Sequence, residues 1–191
     1  MLRIKPHFQN FEEYLSYDDG TDYLYELFNG ELIEVPPESG LNVSIAGFLF
    51  VQFALMLGHQ RVRGHGLELE VRGEPRNRFP DLTIIRETHV QQLSHRNTIR
   101  LSMEPPILLV EVVSPGEVQH QRDYVAKRQQ YQDAGVPEYW LIDPELQTIT
   151  VLELQNDQYV EVGRFRSNDR ILSPGFPSLN LTAEQVLSAG A

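Results

Sequence analysis

The chain has 191 residues, a formal net charge of −11 and no cysteine. That length suits one domain, and the missing cysteines exclude disulfides and cysteine-based zinc sites. The acidic balance argues against casual nucleic-acid binding, whose affinity comes mainly from neutralised phosphates.

Asn10-Phe11-Glu12-Glu13 reads as a capping box opening a short helix to about Ser16. The N-terminal stretch before it lacks the apolar core of a signal peptide, so a cytoplasmic protein is expected. Tyr23 to Phe28 and Glu31 to Val35 are strand-prone runs joined by Asn29-Gly30, the strongest short hairpin signal, because a type I′ turn needs two positive φ angles. The breaker Pro36-Pro37-Glu38-Ser39-Gly40 leads into an apolar helix from Leu41 to about Gly58. It is too short for a confident membrane span, so a buried core helix is expected, with no membrane partner. Strands follow at Leu67 to Val71 and Asp81 to Ile85, separated by a connection rich in Pro, Arg and Asn. Arg61, Arg63, Arg72, Arg76 and Arg78 fall in this region and could form a local basic groove, with Glu68, Glu70 and Glu74 interleaved. Glu87 to Arg100 is polar, a short helix and a loop.

Ile107 to Val113 is an apolar run broken only by Glu111, as suits a central strand covered on both faces. Gln119 to Ala134 is helical, with Gly135 placed just past its end. Tyr139 to Ile142, Thr148 to Leu154 and Tyr159 to Phe165 are strands, and Thr182-Ala183-Glu184-Gln185 opens a last helix. The fold class is α+β: one domain, a mixed central sheet flanked by helices, with an N-terminal hairpin.

Three residues stand out chemically. Asp81 begins a strand after Pro80, and Glu111 lies inside an apolar strand. An ionised carboxylate there is costly unless a cation or hydrogen bonds compensate it. A magnesium ion takes oxygen ligands, often only one or two of them protein carboxylates. The alternative for Glu111 is a place near the sheet edge, paired with an arginine. Lys127 is one of two lysines, the other being Lys5. It shares a helix face with Tyr124, Tyr131 and Ala134. An inward ammonium can orient a water or stabilise charge on phosphate; the alternative is a surface lysine paired with Asp123. The six histidines show no metal-binding spacing.

Phe79-Pro80-Asp81, Leu109-Val110-Glu111-Val112-Val113-Ser114-Pro115, Lys127-Xaa-Xaa-Xaa-Tyr131 and Gly135-Val136-Pro137-Glu138-Tyr139-Trp140 occur in that order. With Tyr25-Glu26-Leu27-Phe28-Asn29-Gly30, the series resembles a large bacterial family of restriction-endonuclease-like proteins in the PD-(D/E)XK superfamily. The resemblance spans roughly residues 20 to 160. It implies a Mg²⁺- or Mn²⁺-dependent endonuclease acting on DNA, with a homodimer as partner state. It implies Asp81 and Glu111 as metal ligands, the Val112 carbonyl as a third, and Glu26 as an accessory acid. The superfamily's usual lysine position, two residues after the acid, is Val113 here; the resemblance moves that role to Lys127. Two other readings stay open: a catalytically silent nuclease-fold binding or regulatory module, and a hydrolase of a smaller phosphodiester.

Overall fold

The computed structural model describes residues 6–114 and 122–190. Asn10 caps helix α1 (Phe11–Leu15), its side chain accepting the Glu13 N–H at 2.9 Å. Strands β1 (Tyr25–Phe28) and β2 (Glu31–Glu34) pair antiparallel. Asn29 and Gly30 between them have φ of 48° and 77°, as a type I′ turn requires. Gly30 is also needed for space, since a Cβ there would meet the Phe8 carbonyl at 2.7 Å.

Helix α2 (Gly40–Leu57) starts at the Ser39 cap. Then come β3 (Val62–Gly64), β4 (Glu68–Glu70), β5 (Asn77–Arg78), β6 (Leu82–Ile84), α3 (Glu87–Gln92), β7 (Thr98–Ile99) and β8 (Leu108–Val112). A π-helical turn at Arg122–Lys127 runs into α4 (Arg128–Asp133), followed by β9 (Glu138–Asp143), β10 (Thr148–Gln155), β11 (Gln158–Phe165) and α5 (Ala183–Leu187). The expected start of the α4 helix, before Arg122, lies outside the described residues. Its end is a Schellman motif: Gly135 at φ 76° donates to Gln132, and Val136 donates to Tyr131.

The main sheet has six strands in the order β11-β10-β9-β8-β6-β3. Only β8 and β9 are parallel; their other neighbours are antiparallel. All residues of β8 and β9 are buried, which explains their near-continuous apolar sequence. Along β8, Leu108, Val110 and Val112 join the core beneath α2, whereas Leu109 and Val113 join the core containing Tyr131 of α4. By that alternation Glu111 faces α4.

Two expectations need correction. Helix α2 buries one face only, through Asn42, Ile45, Leu49 and Phe53, while Val43, Val51 and Leu55 stay exposed. The connections around residues 60 to 100 hold three further short strands, β3, β5 and β7. The pairing of β5 and β7 with β4 is backed by buried polar contacts. Asn77, fully buried, accepts the Leu27 N–H at 2.7 Å and donates to Glu68 at 2.6 Å.

Candidate active site

Antiparallel pairing of Leu82 with Val110 places Asp81 opposite Glu111, at the end of both strands. Asp81 is 5% exposed, and its Oδ2 accepts the Val112 N–H at 2.6 Å. Its other oxygen faces His65 Nδ1 at 3.6 Å. His65 lies just past β3, which β6 holds in register. Contact with the Asp81 carboxylate raises the His65 pKa above the ordinary value, against the opposing effect of burial; Glu38 and Glu111 add to the rise.

Glu38 completes the group. Ser39 accepts the Asn42 N–H at 3.1 Å and so caps α2, and Glu38 precedes that cap. Buried Asn42 donates to Glu38, to the Val112 carbonyl and to Ser114, each at 3.1 Å. One ligand atom from each of Glu38, His65 and Asp81 lies within 4.8 Å of the others. Two carboxylate oxygens and an imidazole nitrogen form a donor set that suits a divalent cation. The buried His65 Nδ1 makes no hydrogen bond within 3.5 Å and faces the Asp81 carboxylate at 3.6 Å, a pair open to such an ion.

Lys127 points inward. It is 7% exposed, and its Nζ donates to Glu111 Oε2 at 2.6 Å. Tyr131, one turn further on the same face, donates its hydroxyl to Glu111 Oε1 at 2.5 Å. Glu111 is therefore in a central strand with a lysine and a tyrosine as partners, not at an edge with an arginine. The side chain of Asp123, the alternative partner for Lys127, lies outside the described residues. Burial and the Glu111 charge push the Tyr131 pKa well up, so it stays a donor. The π turn carrying Lys127 is a local irregularity of a kind frequent at functional sites.

Glu26 is half-buried and bound at 3.0 Å through both oxygens by Arg78. Arg78 in turn donates to Gln130 of α4 at 2.8 Å. A cleft of about 300 Å³ brings Glu26, Glu38, His65, Ser114 and Lys127 onto one wall system. All the residues expected from the sequence thus lie around one end of β6 and β8. Glu38, His65 and Asn42 are additions. Their convergence comes from strand pairing and helix capping, so no linear spacing announces it; the only local trace is the placement of His65 between Gly64 and Gly66.

Of the arginines that could form a basic groove, four are engaged by protein groups among the described residues. Arg78 is buried against Glu26, Arg61 donates to the Ile85 carbonyl, Arg63 to Gln60, and Arg72 to Asp133. Trp140 is fully buried in the core.

Residues 11–184 match the model of the Uma2 family, which carries the description "Putative restriction endonuclease". Among solved structures, the crystal structure of a "putative nuclease belonging to DUF820" from Anabaena variabilis is similar with a TM-score of 0.71 at 20% identity. The likeness covers 94% of this chain and 98% of that one, and at that identity it speaks to the fold. No curated protein matches the sequence.

Proposed function

The chain belongs to the Uma2 family, and from that premise we propose that it is a Mg²⁺- or Mn²⁺-dependent endonuclease of DNA. The observation that carries this reading is the convergence of Glu38, His65 and Asp81 within 4.8 Å, on the cleft that also exposes Lys127.

Glu38, His65 and Asp81 are the residues that would hold the ion, His65 in its neutral form. Glu111 and the Val112 carbonyl are further oxygen donors at the same strand end. Glu111 is engaged by Lys127 and Tyr131, and Val112 by Asn42, yet a carboxylate and a carbonyl each have lone pairs beyond those bonds. A bound divalent cation supplies an activated water and offsets charge on the phosphate. Glu111 and Tyr131 fix the Lys127 ammonium beside the cleft, where it stabilises developing phosphate charge or orients the attacking water. The Val112 N–H fixes the Asp81 carboxylate. Glu26, clamped by Arg78, is an accessory acid of the cleft wall. A homodimer is the assembled state we propose for the protein.

The test is cleavage of supercoiled plasmid and of single-stranded DNA with Mg²⁺ or Mn²⁺, wild type beside Asp81→Asn. The expected outcome is metal-dependent cutting that is lost in the variant, with its thermal unfolding cooperative. Cutting by Asp81→Asn at the wild-type rate contradicts the assignment. So does a wild type that cuts no substrate with either metal.

A further inference from the structure

A second cavity, of about 200 Å³, opens from the same three residues. Glu38, His65 and Asp81 line it together with Val43, Ala46, Gly47 and Phe50 of α2. Gly64 and Leu82 also line it. Apart from the ligand set, the lining carries no charge, and α2 has no Asp, Glu, Lys or Arg over its 18 residues.

We infer that this slot receives one unstacked nucleobase of a nucleic-acid strand whose phosphate would be held by the cation at Glu38, His65 and Asp81. The inference rests on the nuclease reading and specifies its substrate class. Three observations carry it. The cavity shares Glu38, His65 and Asp81 with the ligand set, so its occupant sits beside the group bound there. Its combination of a polar ligand set and apolar α2 residues matches a nucleotide, with an anionic phosphate and a flat, weakly polar base. Its volume exceeds the roughly 150 Å³ that takes a benzene ring and falls short of the several hundred Å³ typical of drug-sized ligands.

Phe50 supplies the ring against which a base stacks, an interaction that tolerates any base. Gly47 leaves room along the lining: a Cβ there meets nothing within 4 Å. A base in an intact duplex is already stacked on its neighbours. The slot therefore favours single-stranded or unpaired DNA over uninterrupted duplex, because no unstacking cost is incurred.

The experiment measures binding of a single-stranded hexadeoxynucleotide with one 2-aminopurine, in Ca²⁺, to wild type and to Gly47→Leu. Leucine fills the slot while improving local helix propensity, so the variant's melting temperature should equal or exceed wild type. Expected are quenching of 2-aminopurine on binding to wild type, and at least roughly tenfold weaker binding without quenching for Gly47→Leu. A sugar-phosphate oligomer without bases should bind both proteins alike. Unchanged affinity and quenching in Gly47→Leu overturn the slot and leave the nuclease reading standing. Failure of the wild type to bind the oligonucleotide at all overturns both. A dimer in wild type that becomes monomeric in Gly47→Leu, by light scattering, with oligonucleotide affinity unchanged, assigns the face to a second copy and also overturns the slot.

Discussion

Replacing Lys127 with Met tests whether the Glu111 pair is a buried element of the site. The Nζ to Oε2 distance is 2.6 Å, and the two side chains are 8% and 2% exposed. Removing the ammonium leaves a carboxylate in a central strand without its cation, which costs about 3–5 kcal/mol when a buried pair is broken from one side. A surface lysine would lose about 0–1 kcal/mol. For a chain of this length, each kcal/mol moves the melting temperature by roughly 2–4 °C, so the expected drop is on the order of 6–20 °C. Urea unfolding of the metal-free protein at neutral pH measures the loss directly. The double variant Glu111→Gln, Lys127→Met removes both charges and should recover about half or more of it through a coupling energy. A loss below about 1 kcal/mol, or a double variant no more stable than Lys127→Met, refutes the buried-pair account.

His89, Gly30 and Asn42 give three further tests. His89 is fully buried, and burial holds its pKa below the ordinary 6.5. The folded state therefore binds its proton less readily than the unfolded chain. The stability it contributes is full above about pH 6.5 and is lost as pH falls through the lower folded value. His89→Gln keeps a residue able to reach back to the helix start, and its urea midpoint should fall less than that of wild type between about pH 7 and pH 5; parallel slopes would contradict this. Gly30→Ala places a Cβ at φ 77° and 2.7 Å from the Phe8 carbonyl, so unfolding free energy should drop by at least about 1–2 kcal/mol. Thermal denaturation checks it, and an unchanged melting temperature would contradict the turn geometry. Asn42→Ala removes donors to Glu38, Val112 and Ser114. It should destabilise by about 1–3 kcal/mol and weaken Mn²⁺ binding; calorimetry that shows unchanged affinity would deny Asn42 a positioning role.

The sequence was most readable where local chemistry decides the outcome. Asn29-Gly30 announced its hairpin, Asn10 and Thr182 their helix caps, and Gly135 the end of α4. The continuous apolar run around Glu111 announced a central strand because both faces of β8 are covered. Lys127 shared a helix face with Tyr131, which suggested an inward ammonium without deciding it against a surface pair. What stayed hidden was long-range. The short strands β5 and β7 exist because buried Asn77 and Glu68 are satisfied by groups far away in sequence. His65 and Glu38 reach Asp81 through strand pairing and a helix cap, 16 and 43 residues away along the chain, and no periodicity encodes such a meeting. The exposed half of α2 was hidden for a different reason. A helix apolar all round carries no directional pattern, so its sequence cannot say which face meets the sheet.

The cation site is tested by calorimetric titration of Mn²⁺ into the metal-free protein, wild type beside Glu38→Gln, His65→Asn and Asp81→Asn. The account predicts saturable binding in wild type, weakened about tenfold or more by each substitution, with cooperative unfolding kept. A wild type that binds no Mn²⁺, or binding indifferent to all three changes, would show that Glu38, His65 and Asp81 do not form a cation site.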